Sequence, residues 1–199
     1  MQLDIPSGDF AGYIFDLDGT LIDTMPAHYR AWDAAMRAAG LKVPLDEDLF
    51  YSFGGVPTRL VAEKIAAHYG LKVDPAKVEH EKEELFKTMA AKANLIEPVV
   101  AFARHVAATR PVAIVTGGLP NVVENTLRTS GLAPLFPLVL TPMDVPEGRG
   151  KPAPDMFLLA ASRMGVPAER CLVFEDAEPG IQGALAAGMQ VVRVPSRDL

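Results

Sequence analysis

The stretch YIFDLDGTLIDT, Tyr13–Thr24, places two acids directly after an apolar run. The apolar run is typical of a buried strand. Asp and Gly are poor strand residues, so DLDG at Asp16–Gly19 should end that strand and open a loop. Ligands of parallel α/β sheets bind beyond the carboxyl ends of the strands, which makes Asp16 and Asp18 candidate site residues.

Similar short apolar runs recur along the chain, and helical patterns separate the later ones. The predicted strands are 11–15, 112–115, 138–140, 171–174 and 191–194. The helical patterns cover 119–130, 154–164 and 179–187, and a glycine follows each of them. Strands that alternate with helices pair in parallel. We therefore expect an α/β fold with a doubly wound, Rossmann-like parallel sheet.

Residues 23–90 interrupt this alternation and contain no convincing strand. Helices are predicted there over 26–39, 46–51, 57–69 and 75–93, with glycine breaks between them. The interruption follows the first strand only. We therefore expect a catalytic core of residues 1–22 and 91–199, and a helical cap of residues 23–90 inserted into it.

Composition excludes several classes of protein. The chain has 199 residues, 49% of them hydrophobic, which predicts a globular protein. A formal charge of -6 argues against a generic nucleic-acid binder, which needs a basic face. The N-terminal residues lack a signal-peptide pattern and no apolar run is long enough to span a membrane. The single Cys171 lies in an apolar run, which favours a buried, unreactive thiol and a cytoplasmic location.

Polar residues also follow the later strands. Thr116, Gly117 and Gly118 follow one strand, Glu175 and Asp176 follow another, and Lys151 lies in the loop before the helix at 154–164. An acid at one strand end is most often a structural cap. Several such groups that meet at one edge of a parallel sheet instead predict a common site.

The electrostatics of that site predict a metal ion. Four acids would meet in one crevice: Asp16, Asp18, Glu175 and Asp176. They would repel one another unless cations compensate their charge, and their oxygens suit Mg²⁺ with several retained waters. Lys151 adds a charge that can face both a carboxylate and a phosphate. The hydroxyl of Thr116 and the N–H groups of the glycines after it predict a place for a phosphate oxygen.

These motifs, in this order, resemble those of the haloacid dehalogenase superfamily of phosphotransferases. DLDGT at residues 16–20 is similar to the first motif, Thr116 to the second, Lys151 to the third, and EDA at residues 175–177 to the fourth. The resemblance covers essentially the whole chain. Four ordered motifs are a specific signal, whereas one D-x-D would be a weak one.

The resemblance implies a role for each motif residue. Asp16 would be the nucleophile that forms an aspartyl-phosphate, and Asp18 the general acid and later the base. Thr116, Gly117 and Lys151 would hold the phosphoryl oxygens. Mg²⁺ would bind the Asp16 carboxylate, the Asp18 carbonyl and Asp176, and Glu175 would ligate it or orient water.

The inserted helices resemble a cap of the beta-phosphoglucomutase and sugar-phosphate phosphatase branch. On that resemblance, His28, Arg59 and Lys82 are candidate substrate contacts, although Arg59 in GGVPTRL is out of register by one residue. Charged side chains on helices are otherwise usually solvated. Trp32 stands at helical spacing with apolar residues, which favours a place in the cap core.

The predicted function is an Mg²⁺-dependent phosphomonoesterase that acts on a small phosphate ester, a sugar phosphate in the first place. A phosphohexose mutase shares the first half-reaction, so the catalytic residues cannot separate the two activities. A phospho-accepting signalling domain also uses an α/β core, Mg²⁺, a Thr and a Lys. Its accepting Asp lies on a later strand, however, and the inserted helices disfavour it. The sequence leaves protein partners unknown.

Overall fold

The computed structural model describes residues 3–54, 56–89 and 94–195. Its strands are β1 (Gly12–Phe15), β2 (Ile22–Asp23), β3 (Asn94–Leu95), β4 (Val112–Val115), β5 (Leu138–Leu140), β6 (Cys171–Glu175) and β7 (Gln190–Arg193). Its α-helices are α1 (Met25–Ala38), α2 (Glu47–Tyr51), α3 (Thr58–His68), α4 (Pro75–Met89), α5 (Glu97–Ala107), α6 (Pro120–Ser130), α7 (Asp155–Met164) and α8 (Glu178–Ala186).

Five strands form one parallel sheet in the order β5-β4-β1-β6-β7. β1 is central, and Phe15 is in register with Ile114 of β4 and Phe174 of β6. The predicted α/β fold with a parallel sheet is confirmed, and the five predicted strands agree with the observed ones to within one residue at each end. The carboxyl end of β1 therefore lies between the ends of β4 and β6.

Helices cover both faces of the sheet, as a doubly wound fold requires. Alternate strand residues point to opposite faces. Phe15 of β1 packs in a cluster with residues of α5 and α6, whereas Ile14 packs in another with residues of α7 and α8. Because both faces are covered, β4 and β6 are buried along their whole length, whereas the edge strand β7 exposes Gln190 and Arg193.

Helices α1 to α4 form the cap between β1 and β4. They share their own apolar cluster, which includes Trp32 as predicted, and a smaller cluster joins Ala31 and Phe86 of the cap to Val122 of α6. The antiparallel pair β2–β3 lies where the chain leaves and re-enters the core. The predicted cap boundary at residue 90 and the predicted helix end at residue 93 lie outside the described residues.

The sequence analysis missed helix α5. Its signal is Pro98 at the second position and buried Val99, Val100, Ala103 and Val106 at helical spacing.

Cys171 is fully buried, as predicted, and burial raises the pKa of its thiol to about 11. None of the helices in the described part of the chain has the length and apolarity of a membrane span.

Candidate active site

The loop after β1 places Asp16 at the centre of the sheet edge. Its backbone N–H donates to the Phe174 carbonyl at 2.9 Å, and only 6% of the residue is exposed. Gly19 has φ +87°, and a methyl group there would overlap the Asp176 carboxylate. Glycine is therefore required for the loop from β1 to approach the loop from β6. The hydroxyl of Thr20 donates to Asp176 Oδ1 at 3.1 Å and joins the same two loops.

Lys151 lies between two carboxylates. Its Nζ donates to Asp16 Oδ1 at 2.6 Å and to Glu175 Oε2 at 2.7 Å, and its side chain is wholly buried. Burial disfavours the charged ammonium, but the carboxylates of Asp16 and Glu175 outweigh it and raise the pKa of Lys151 above its usual value. Helix α8 packs so closely here that a methyl group at Gly180 would overlap Glu175.

Three carboxylates at this edge could hold a metal ion. Asp16, Glu175 and Asp176 each offer an oxygen, and these oxygens lie within 4.8 Å of one another. Burial and the neighbouring Glu175 raise the pKa of Asp16 well above its usual value, although Lys151 opposes them. An oxygen-only, acid-rich set of this kind fits a hard divalent cation such as Mg²⁺, whose charge would offset the repulsion.

Thr116 stands at the end of β4, beside the nucleophile candidate. Its backbone N–H donates to the Leu140 carbonyl at 3.0 Å, and its hydroxyl oxygen accepts from the Gly118 N–H at 3.1 Å. Within the described residues the hydroxyl donates no hydrogen bond, so its proton is available for a ligand. Thr116, Gly117 and Gly118 line the same cavity as Asp16, just before helix α6 begins.

Asp18 faces the cap helix α1. Its Oδ1 accepts from the Thr24 hydroxyl at 2.6 Å and lies 3.4 Å from His28 Nε2. Burial alone would raise the pKa of Asp18, but His28 and then Thr24 lower it. Burial, and then the charge of Lys82, lower the pKa of His28. The imidazole ring stacks on Phe86 with 3.8 Å between ring centroids, which fixes its orientation.

A single cavity runs between the core and the cap. Core residues at the strand ends and cap residues from α1, α3 and α4 line it, and it holds about 90 Å³ of space that water can enter. The cap is close to the core here: a Cβ at Gly54 would lie 2.7 Å from the Ala177 side chain. The space suits a compact molecule.

Residues 10–188 match the family model of the haloacid dehalogenase-like hydrolases. This chain belongs to that family. The fructose-1-phosphate phosphatase YqaB of Escherichia coli (strain K12) is 38% identical, over 93% of this chain and 96% of that protein. A beta-phosphoglucomutase of Bacillus subtilis (strain 168) is 29% identical, over 91% of this chain and 81% of that one.

A solved structure supports the fold of this haloacid dehalogenase-like hydrolase. The crystal structure of a beta-phosphoglucomutase from Clostridium difficile matches with a TM-score of 0.80 and 21% identity, over 92% of this chain and 83% of that one. At that identity, the likeness establishes the shared architecture alone.

The hydrolase presents two of its three predicted cap contacts to the cavity. His28 and Lys82 line it, whereas Arg59 does not. The Arg59 side chain is 62% exposed and its guanidinium donates to Glu79 Oε2 at 2.7 Å. The substrate contact predicted for Arg59 therefore has no support from the geometry. Its neighbour Thr58 lines the cavity instead, one residue along the helix.

Lys151 also differs from expectation in one respect. It does not line the cavity itself; it contacts the two cavity-lining carboxylates, Asp16 and Glu175.

The cavity residues that were not predicted from the sequence are Thr58 and Glu83, and Thr24 beside Asp18 was not predicted either. The signal for Thr24 was its position six residues after Asp18, at the start of a cap helix, where a hydroxyl can turn back to the loop.

Proposed function

We propose that this hydrolase releases phosphate from small phosphorylated sugars through an aspartyl-phosphate on Asp16, with Mg²⁺ as cofactor. The observation that carries the proposal is the position of Asp16: it faces a cavity between the core and the cap together with Thr116 and Asp18, and Lys151 holds its carboxylate. The similarity to a protein named as a fructose-1-phosphate phosphatase supports the substrate class.

Asp16 attacks the phosphorus atom. Lys151 holds Oδ1 and thereby orients the carboxylate, whose other oxygen forms the new bond to phosphorus as the bond to the sugar oxygen breaks. The Thr116 hydroxyl and the Gly117 N–H bind the phosphoryl oxygens. This arrangement supplies the positioning on which phosphoryl transfer depends most.

Asp18 moves the proton. Its pKa is lowered in the free protein, which favours the ionised form that activates water in the second half-reaction. A bound phosphate dianion next to Asp18 raises that pKa by repulsion, so the carboxyl can carry the proton that the leaving sugar oxygen needs. His28 and Thr24 orient the carboxyl group toward the cavity in both steps.

Mg²⁺ would bind the carboxylates of Asp16 and Asp176 and the carbonyl of Asp18, with Glu175 as ligand or as orienter of water. When bound, it supplies positive charge for the transferring phosphoryl group. The carboxylate cluster of Asp16, Glu175 and Asp176 supports this cofactor, because three carboxylates so close together repel one another and Lys151 pairs with two of them.

A phosphohexose mutase remains the second candidate, supported by the similarity to a beta-phosphoglucomutase. A mutase must bind a second phosphate in the cap while the first is transferred. The exposed position of Arg59 removes one predicted ligand for that group. Family membership gives no support to the signalling alternative. The cytoplasmic location stays a prediction.

The test is a panel of hexose and pentose monophosphates assayed with Mg²⁺. Free phosphate and the conversion of glucose 1-phosphate to glucose 6-phosphate are followed in parallel. We expect phosphate release from several sugar phosphates and none by the Asp16→Asn variant, whose circular dichroism should match the wild type. Isomerised product in place of phosphate would favour the mutase. Full activity of Asp16→Asn would remove Asp16 from its role.

A further inference from the structure

The two walls of the cavity differ in charge. The core wall carries Asp16, Asp18, Glu175 and Asp176, whereas the only acidic, lysine or arginine residues on the cap wall, among the described residues, are Lys82 and Glu83. These two side chains form an ion pair, with Lys82 Nζ 2.9 Å from Glu83 Oε1. The cap wall therefore offers a substrate a compensated pair and no free cation.

Glu83 is an unusual residue on that wall. Only 7% of it is exposed, and its Oε1 accepts from Lys82 and from the Thr58 hydroxyl, the latter at 3.2 Å. Its Oε2 is fully buried and, within the described ranges, has no hydrogen-bond partner. A buried carboxylate oxygen without a donor is unfavourable, and a donor on a bound ligand would remove that cost.

We infer that Glu83 accepts a hydrogen bond from a substrate hydroxyl and so selects sugar monophosphates over esters that carry a second phosphate group. The inference rests on the proposed function and names what the cap recognises. A sugar brings several hydroxyl donors into a cavity that Glu83 lines, and Oε2 is the oxygen of this carboxylate that has no hydrogen-bond partner among the described residues. Thr58, beside Glu83, holds the carboxylate in that orientation.

Charge explains the exclusion of a second phosphate. Lys82 is held between its partner Glu83 and two rings, with Nζ 5.7 Å from the centroid of Trp32 and 4.9 Å from that of Phe86. It is only 2% exposed, so it cannot swing out to a distal anion without losing these contacts. A distal phosphate would stand beside the Glu83 carboxylate, and like charges at close range in a buried site repel strongly.

The competing explanation is that Glu83 only keeps Lys82 in place. The two roles predict different substrate dependence. A residue that merely holds Lys82 affects every ester alike, because all esters use the same cavity. A residue that accepts a substrate hydroxyl affects only the esters that have one.

The experiment compares Glu83→Gln with Glu79→Gln, a matched change one turn earlier on α4, outside the cavity. Each protein is assayed with Mg²⁺ on fructose 1-phosphate, glucose 6-phosphate and p-nitrophenyl phosphate, which has no hydroxyl. For Glu83→Gln, we expect kcat/KM for the sugar esters to fall about tenfold to hundredfold more than for p-nitrophenyl phosphate. Glu79→Gln should follow the wild type on all three. Equal losses on all esters, or no loss on sugars, would overturn the inference.

Two further measurements test the inference with other substrates, and each has a readout on the wild-type protein alone. Monodeoxy analogues of an accepted sugar phosphate should include one that loses about tenfold or more in kcat/KM, and Glu83→Gln should lose little further with that analogue. Glucose 1,6-bisphosphate should react more slowly than glucose 6-phosphate, and a preference for the bisphosphate would contradict the inference.

The failure of the proposed function has a different signature. In that case the wild type releases no phosphate from any ester, sugar or not. Binding of the same sugar phosphates to wild type and Glu83→Gln is then measured by calorimetry. Weaker binding to Glu83→Gln supports the hydroxyl contact, and equal binding or none contradicts it.

Discussion

Replacement of Lys151 by methionine should destabilise the folded protein strongly. The lysine side chain is wholly buried, and its ammonium contacts Asp16 and Glu175 at 2.6 and 2.7 Å. Methionine has a similar length but no charge, so the variant leaves two buried carboxylates without their partner. Loss of one member of a buried ion pair costs about 3–5 kcal/mol. A domain has a total stability of about 5–15 kcal/mol, so the change should be large and easily measured.

The assay is urea unfolding in the presence of a chelator, so that no metal ion compensates the charges of Asp16 and Glu175 in the variant. We expect the free energy of unfolding to fall by about 3–5 kcal/mol, with a lower midpoint and an unchanged slope. Arg149→Met is the matched control, because Arg149 is 57% exposed and pairs with Asp155 on the surface. It should cost at most about 1 kcal/mol. A Lys151→Met variant within about 1 kcal/mol of wild type would refute the argument from burial.

Three other predictions test the packing and the metal. For Gly180→Ala, thermal unfolding should show a free energy of unfolding lower by about 1–3 kcal/mol, because the added methyl group overlaps Glu175. A variant more stable than the wild type would contradict that packing. For Phe86→Ala, urea unfolding should show a free energy of unfolding lower by about 3–5 kcal/mol, since the Phe86 ring is 1% exposed and stacks on His28. A decrease under about 1 kcal/mol would mean that the stability of the cap does not depend on this ring. Treatment with a chelator should abolish phosphate release and added Mg²⁺ should restore it; unchanged release would argue against a metal at the carboxylate cluster.

The sheet was predictable because its central strands are buried on both faces. Such strands are continuous apolar runs, and Val112–Val115 and Cys171–Phe174 stand out from the polar loops around them. The short pair β2–β3 was not predictable, because two residues in each strand give no pattern. The polar groups at the strand ends were predictable as a set, since parallel topology brings these ends together.

The cap contacts were harder to predict because they depend on helix rotation. One residue turns a helix by about 100°, which is the difference between Thr58 in the cavity and Arg59 in solvent. On α4, the charged run HEKEELF suggested a solvated face. Lys82 is buried nevertheless, because it lies four residues from both Val78 and Phe86 and shares their face.

The core and the cap thus divide recognition between them. At the core edge, four carboxylates line the cavity and Lys151 pairs with two of them, so a bound cation would offset the negative charge of this wall and suit it to a phosphate. On the cap wall, Lys82 and Glu83 compensate each other, so little net charge remains to attract a second anion. A ligand that is complementary to both walls carries one phosphate group at one end and neutral hydroxyl donors at the other end. On the proposed function, this charge distribution would favour a sugar monophosphate over a bisphosphate.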